Sequence, residues 1–203
     1  MAEMPSTEMP TRRSPAEAIL DSARTEVEKN GIVGLRVADV AKGADVSLTQ
    51  IYRYFGDRNG LLARVLGDIY DEIVTAAADY MERAITNLES VTIENLVDAF
   101  PPYSEMARGA NQRIRLQIMA MSVTNPRLHE RITASAERQM AHWKIILDQV
   151  ERRLAPGEEL DRRVFEILLP VQMPYYWNML GENAFTDEEF RAYFIDLARG
   201  RRC

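Results

Sequence analysis

Apolar residues recur along most of this chain at the three- and four-residue spacing of an amphipathic helix, and no run alternates as a β-strand would. The segment Ser14-Pro15-Ala16-Glu17 carries the signals of a helix N-terminus: a capping serine, a proline in the first turn and a glutamate three residues after the serine. An apolar stripe of Ile19, Leu20, Ala23 and Val27 follows. The pattern predicts a first helix that ends at Gly31.

Two short helices are predicted next, from Val37 to about Lys42 and from Ser47 to Phe55. Residues 43–46 form a tight turn between them. The buried faces of the two helices are predicted to hold Val37, Val40, Ala41, Ala44, Val46, Ile51 and Phe55. Two helices joined in this way form a helix-turn-helix, whose second helix enters the major groove of DNA.

The remainder of the chain is also predicted to be helical, which makes the fold class all-α. A long amphipathic helix begins near Asp57-Arg58 and carries apolar residues as far as Met81. Further helices are predicted over Glu94–Phe100, over 104–123 with an interruption near Gly109, from Asn125-Pro126 to Leu154, over 160–180, and after the capping box that begins at Thr186. We therefore expect a tail over residues 1–13, a three-helix domain over 14–57, and a larger helical domain over 58–203.

The last two predicted helices suggest a dimer. The helix over 160–180 is apolar on every side, which is typical of a helix buried on every side, and the final helix is amphipathic. One small domain does not readily cover both, so a second copy packed as a four-helix bundle is the favoured partner. The alternative is that both helices pack on the chain's own core. The candidate interface residues are Val164, Leu168, Val171, Tyr175, Phe190, Tyr193, Phe194 and Leu197.

Composition limits the possible partners. The 203 residues are 46% hydrophobic and 28% charged, which is ordinary for a soluble protein. A net charge of -6 argues against a protein that coats nucleic acid uniformly, but it allows a local basic face. Residues 11–62 hold eight Arg or Lys against seven Asp or Glu, whereas residues 63–203 hold 17 against 22. The N-terminal quarter is therefore the least acidic region.

The outward face of the third helix carries side chains suited to reading DNA. At about 100° per residue, Thr49, Gln50, Arg53 and Tyr54 point away from the side that is predicted to be buried. Glutamine can pair with adenine through both amide atoms, and a threonine methyl can meet the methyl of thymine. The alternative is a plain helical hairpin with a solvated polar face.

Phosphate contacts are expected on the flanks of that face. Tyr52, Tyr54, Arg36 and Arg58 lie where they can hold the backbone of the duplex. The open N–H groups that follow Asp57 add a helix N-terminus suited to a phosphate.

The segment over residues 14–66 resembles the N-terminal domain of the TetR family of bacterial transcriptional repressors. The similarity lies in Gly31, in the run Tyr52-Arg53-Tyr54-Phe55, in Arg58 and in the pair Leu61-Leu62. By position, the resemblance implies DNA contacts from Arg36, Leu48, Thr49, Gln50, Tyr52, Tyr54 and Arg58, and we add Ser47 and Arg53 as candidates.

The chain departs from the family pattern at three positions. Leu35 and Arg36 replace the hydroxyl residues that usually open the second helix, so a phosphate contact there would be ionic. Asp45 replaces the usual turn glycine and tolerates a left-handed backbone better than most residues. Arg58 replaces a lysine and keeps its charge.

The sequence does not indicate an enzyme. His129 and His142 are thirteen residues apart, Cys203 is the single cysteine, and no glycine-rich loop suits a phosphate. We expect no cofactor and no metal.

The resemblance implies instead that the C-terminal domain binds a small molecule. We expect an effector with substantial apolar surface, held by soft and aromatic side chains. Pro170 and Pro174 predict a kinked helix there, which leaves space and free carbonyl groups. The candidate pocket residues are Phe100, Tyr103, Met119, Trp143, Gln172, Met173, Tyr176 and Trp177. The alternative is that these residues are core.

Together these features predict a cytoplasmic homodimer that binds a palindromic operator in double-stranded DNA and is released by a small-molecule effector. The absence of a long apolar run predicts no membrane segment. Two alternatives stay open: a TetR-like activator or protein-responsive regulator, and a helical ligand-binding or scaffold protein without a DNA role.

Overall fold

A computed structural model describes residues 13–102, 110–168 and 186–200, and these residues are helical with no strand among them. The all-α fold class is confirmed. The helices are α1 Pro15–Gly34, α2 Val37–Gly43, α3 Leu48–Phe55, α4 Arg58–Thr86, α5 Ile93–Asp98, α6 Ala110–Ser122, α7 Pro126–Arg152, α8 Arg162–Leu168 and α9 Asp187–Ala198. Within the described ranges, none of these helices is long and apolar enough to cross a membrane.

The helix starts follow the capping signals in the sequence. The predicted caps at Ser14, Asn125 and Thr186 are confirmed, because each side chain accepts a hydrogen bond from the backbone of its helix's first turn. Reciprocal capping boxes also form at Ser47 and Thr92, although the third residue of the helix is there an amide and not a carboxylate.

Several helix ends differ from the prediction. Gly31 breaks the backbone of α1 with a φ of 72°, but one more turn continues to Gly34. Helix α7 ends at Arg152 and not at Leu154, because Leu154 pairs with Val91 in an isolated parallel bridge. The segments 104–109 and 169–180, which were predicted to be helical, lie outside the described residues, as does the predicted tail up to residue 12.

The chain divides into two compact units, Met1–Leu66 and Gly67–Cys203. The division falls inside α4, whereas the sequence suggested a domain boundary between residues 57 and 58. The first turns of α4 belong to the N-terminal unit because they bury Leu61, Leu62 and Val65. Removing these side chains from water is the main source of stability for so small a unit.

The C-terminal unit has its own apolar core, which draws on α4, α5, α7, α8 and α9. Phe165 and Phe194 are buried at its centre with their rings 5.4 Å apart, and Phe100 lies 5.5 Å from Phe194. Offset and edge-on ring pairs such as these add to the free energy gained by burying the rings. In the same unit, Arg191 of α9 donates hydrogen bonds to Asp98 at the end of α5.

Candidate nucleic-acid interface

The turn between α2 and α3 is fixed by its backbone. Asp45 has a φ of 53°, the left-handed conformation that was expected where this aspartate replaces a glycine. The N–H of Val46 donates to the carbonyl of Ala41 at 3.0 Å, and the N–H of Ala44 donates to that of Val40 at 3.0 Å. These bonds end α2 and set the direction in which α3 begins.

Helix α2 lies close against α1 at Gly43. A Cβ atom added to Gly43 would lie 2.3 Å from the Oγ of Ser22, which itself donates to the carbonyl of Val40 at 2.9 Å. Ala41, on the predicted buried face of α2, is buried.

Helix α3 rests on one buried residue and exposes most of the others. Ile51 is fully buried, and Val46 and Phe55 are half-buried, as the predicted inner face requires. The opposite face is exposed and consists of Ser47, Leu48, Thr49, Tyr52, Arg53 and Tyr54. A helix that presents this many hydroxyl, aromatic and cationic groups to solvent has the chemistry of a surface that contacts phosphates and bases.

Gln50 is half-buried and takes part in the cap of α3. The side-chain oxygen of Gln50 accepts from the backbone N–H of Ser47 at 2.9 Å and from the Ser47 hydroxyl at 3.1 Å. In return, the backbone N–H of Gln50 donates to the Ser47 Oγ at 3.2 Å. The outward position of Gln50 in the sequence suggests a contact with adenine. The pattern Ser-x-x-Gln is also a capping signature, and it indicates the role that the structure shows.

Arg36 and Arg58 stand on either side of the segment that precedes α2. Arg36 is exposed at the N-cap position of α2 and makes no side-chain capping bond. Arg58 is half-buried and donates from Nη2 to the carbonyl of Leu35 at 3.3 Å. One edge of the Arg58 guanidinium therefore stabilises the unit, and its remaining N–H groups are available to a phosphate.

The start of α4, where the sequence predicts N–H groups suited to a phosphate, is capped by its own aspartate. The Oδ1 of Asp57 accepts from the N–H of Gly60 at 2.7 Å. This carboxylate engages one of the open N–H groups of the first turn, so a phosphate contact at this terminus stays a prediction.

The same segment matches a known protein family. Residues 19–65, which span α1 to the first turns of α4, match the model of the bacterial regulatory proteins of the tetR family. Residues 19–65 are therefore similar to the N-terminal domain of the TetR family, as the sequence resemblance predicted.

Solved structures, one of them a TetR-family regulator, share the fold over more than nine tenths of this chain. A TetR-family regulator from Rhodococcus sp. is 20% identical, with 91% of this chain and 98% of that chain covered and a TM-score of 0.57. The multidrug binding protein EbrR, solved with imidazole, is 17% identical with coverage of 92% and 96% and a TM-score of 0.63. FadR from Bacillus subtilis, solved with stearoyl-CoA, is 18% identical with coverage of 92% and 99% and a TM-score of 0.55. No curated protein sequence matches the chain.

The predicted pocket residues fall into three groups. Phe100 and Trp143 lie together in the core of the C-terminal unit. Met119 stands on α6 with 41% of its surface exposed. Tyr103, Gln172, Met173, Tyr176 and Trp177 lie outside the described residues.

The predicted dimer residues divide in a similar way. Tyr193 of α9 is 54% exposed, whereas Phe194 is 7% exposed and packs in the chain's own core. Val164, Phe190 and Leu197 are half-buried. The side chain of Leu168 and the residues Val171 and Tyr175 lie outside the described part. Phe194 therefore has little surface left to bury against a second copy.

Proposed function

We propose that this protein is a regulator of the TetR family, a cytoplasmic repressor that binds a palindromic operator as a homodimer and is released by a small molecule. The observation that carries the proposal is the exposed face of α3. Thr49, Tyr52, Arg53 and Tyr54 stand out from a helix whose start is held by the Ser47 cap and by the left-handed turn at Asp45. A rigid, capped helix presents these groups at fixed positions, as base reading requires.

A homodimer would place two copies of α3 on two half-sites related by the same two-fold axis. The exposed Tyr193 on α9 supports an interface along that helix, beside the half-buried Val164 of α8 and Leu197 of α9. An isologous interface pairs the same patch on both subunits.

The effector is proposed to be a compound with substantial apolar surface. EbrR and FadR, which share the fold, were solved with a small molecule bound. In this chain we assign the effector to the C-terminal unit, whose apolar core contains Trp143 and has Phe100 packed against it. Helix α4 carries residues of both units, so it is the element through which an effector would favour one DNA-reading state. The effector acts only if it binds that state more tightly.

An electrophoretic shift on the DNA upstream of the protein's own gene tests DNA binding. We expect salt-sensitive binding that Tyr52→Ala and Arg58→Ala each weaken by about tenfold. Tyr80→Ala is the matched control, because Tyr80 is a tyrosine of similar exposure (49% against 44% for Tyr52) in the C-terminal unit. A shift that is absent, or that the Tyr52 and Arg58 variants leave unchanged, rejects the proposal.

A thermal-shift screen tests the effector. We expect at least one apolar compound that raises the melting temperature and also lowers the fraction of shifted DNA. A compound that stabilises the protein without releasing DNA argues for a separate ligand-binding role.

A further inference from the structure

The cap of α3 removes the acceptor that Gln50 would need to recognise adenine. An amide oxygen has two lone pairs, and the Gln50 Oε1 already accepts two hydrogen bonds from Ser47, at 2.9 Å and 3.1 Å. The orientation of the Gln50 side-chain amide follows from its surroundings. The Ser47 N–H is a donor, so it must face the amide oxygen and not the NH₂ group.

The contact that distinguishes adenine uses both ends of the glutamine amide. The oxygen accepts from the adenine N6 group while the nitrogen donates to N7. With its oxygen engaged, Gln50 keeps only its NH₂ donors. Acceptors for such a donor occur in the major groove on adenine, guanine and thymine, so a donor alone gives little selection among the three.

Arg53 is an exposed cationic side chain on the same surface, and its guanidinium is positioned by Tyr54. Its guanidinium lies over the ring of Tyr54, with the Cζ atom 5.1 Å from the ring centroid, and its Nη2 lies 3.5 Å from the Tyr54 hydroxyl. Arg53 follows Thr49 by four residues, so both lie on the face of α3 that points away from the buried Ile51. The ion pairs among the described residues do not include Arg53.

Stacking on Tyr54 limits the orientations that the guanidinium can take. A planar fork held in this way loses less conformational entropy when it forms two parallel hydrogen bonds. The base that offers two acceptors side by side in the major groove is guanine, through O6 and N7.

We propose that Arg53 selects a guanine in each operator half-site and that Gln50 confers no adenine preference, its role being to hold the start of α3. This inference rests on the proposed DNA-binding function.

The test is selection of binding sites from a randomised double-stranded DNA pool by the full-length protein, followed by sequencing. It is carried out on the wild type, Arg53→Lys, Arg53→Ala and Gln50→Ala. Arg53→Lys is the charge-matched variant, since it keeps the positive charge and loses the planar guanidinium with its paired N–H donors. Lys29→Ala, which removes an exposed cation of α1, controls for net charge. Circular dichroism confirms that each variant is folded at the temperature of selection.

We expect the wild type to favour guanine at one position of each half-site by about tenfold or more. Arg53→Ala abolishes this preference and Arg53→Lys weakens it, while Lys29→Ala preserves it. Gln50→Ala lowers the affinity for all sites by a similar factor and leaves the base preferences unchanged.

Two results overturn the inference while leaving the proposed function intact. One is a wild-type adenine preference that Gln50→Ala removes. The other is an Arg53→Ala variant that binds all sites more weakly but with unchanged preferences, which would make Arg53 a phosphate contact. A wild type that recovers no site from the pool rejects the proposed function itself.

Discussion

Asp45 shows how a single residue shapes the proposed DNA-reading surface. Its φ of 53° lies in the region that disfavours most side chains, and the turn bonds around it depend on that conformation. Aspartate enters this region more readily than other non-glycine residues because its short polar side chain can bond locally. A β-branched side chain at the same position is strongly disfavoured.

We therefore expect Asp45→Val to lower the free energy of unfolding by about 1–2 kcal/mol relative to Asp45→Gly. Urea unfolding followed by circular dichroism measures the difference. Equal stability of the valine and glycine variants would show that the turn does not require a left-handed residue.

Gln50 marks the limit of what the sequence could tell about the site. The spacing identified the helix, its buried face and its exposed residues, and the structure agrees at Ile51, Thr49 and Tyr52. The choice between capping and base reading was open, because the sequence allows glutamine both roles. Only the 2.9 Å bond from the Ser47 N–H assigns the amide oxygen to the cap.

Helix ends divide into those that the sequence predicts and those that it does not. A capping box lies within four consecutive residues, so the helix starts at Ser14 and Thr186 can be predicted from the local sequence. The end of α4 is capped from a distance. Arg153 donates to the carbonyls of Ile85, Thr86 and Leu88, which precede it by 65 to 68 residues. A local sequence pattern cannot predict a contact between residues so far apart in the chain.

We expect Arg153→Ala to lower the free energy of unfolding by about 2 kcal/mol, since it leaves the last carbonyls of α4 without a charged donor. Arg153→Lys should recover part of this loss, because a lysine offers a point charge but not the fork. The urea midpoints of the three proteins give the comparison. An alanine variant as stable as the wild type would show that water replaces the arginine at no cost.

The link between α9 and α5 is expected to depend on pH. Hydrogen bonds from Arg191, and then its charge, hold the pKa of Asp98 below its ordinary value of 3.8 against the opposing effect of partial burial. A lowered folded-state pKa contributes stability above the ordinary value, and this contribution is lost as the pH falls through the lowered pKa.

Asp98→Asn should therefore lower the melting temperature at about pH 6, and this difference should become smaller as the pH falls from about 4 to about 2. Thermal melts of the wild type and of Asp98→Asn across this pH range measure the difference in melting temperature. Glu137→Gln, which removes an exposed carboxylate from α7, is the charge-matched control. A difference for Asp98→Asn that stays constant across this pH range would contradict the ionic account.

At the scale of the whole molecule, the sequence predicted the all-α fold class better than it predicted what each apolar helix face packs against. Helical periodicity and capping residues place the helices, because both signals are local. Whether an apolar residue faces the core, a ligand or a second copy depends on what the other helices cover. Phe194 was assigned to a dimer surface from its position on α9, but it packs with Phe165 in the chain's own core.

The central claim is that α3 of each subunit reads one half of a symmetric operator, and a footprint on upstream DNA tests it most directly. We predict two protected patches related by two-fold symmetry, with their centres separated by about one helical turn of DNA or a multiple of it. Both patches should disappear together in Tyr52→Ala and persist in Tyr80→Ala. A single patch, uniform protection along the fragment, or no protection at all would contradict the account.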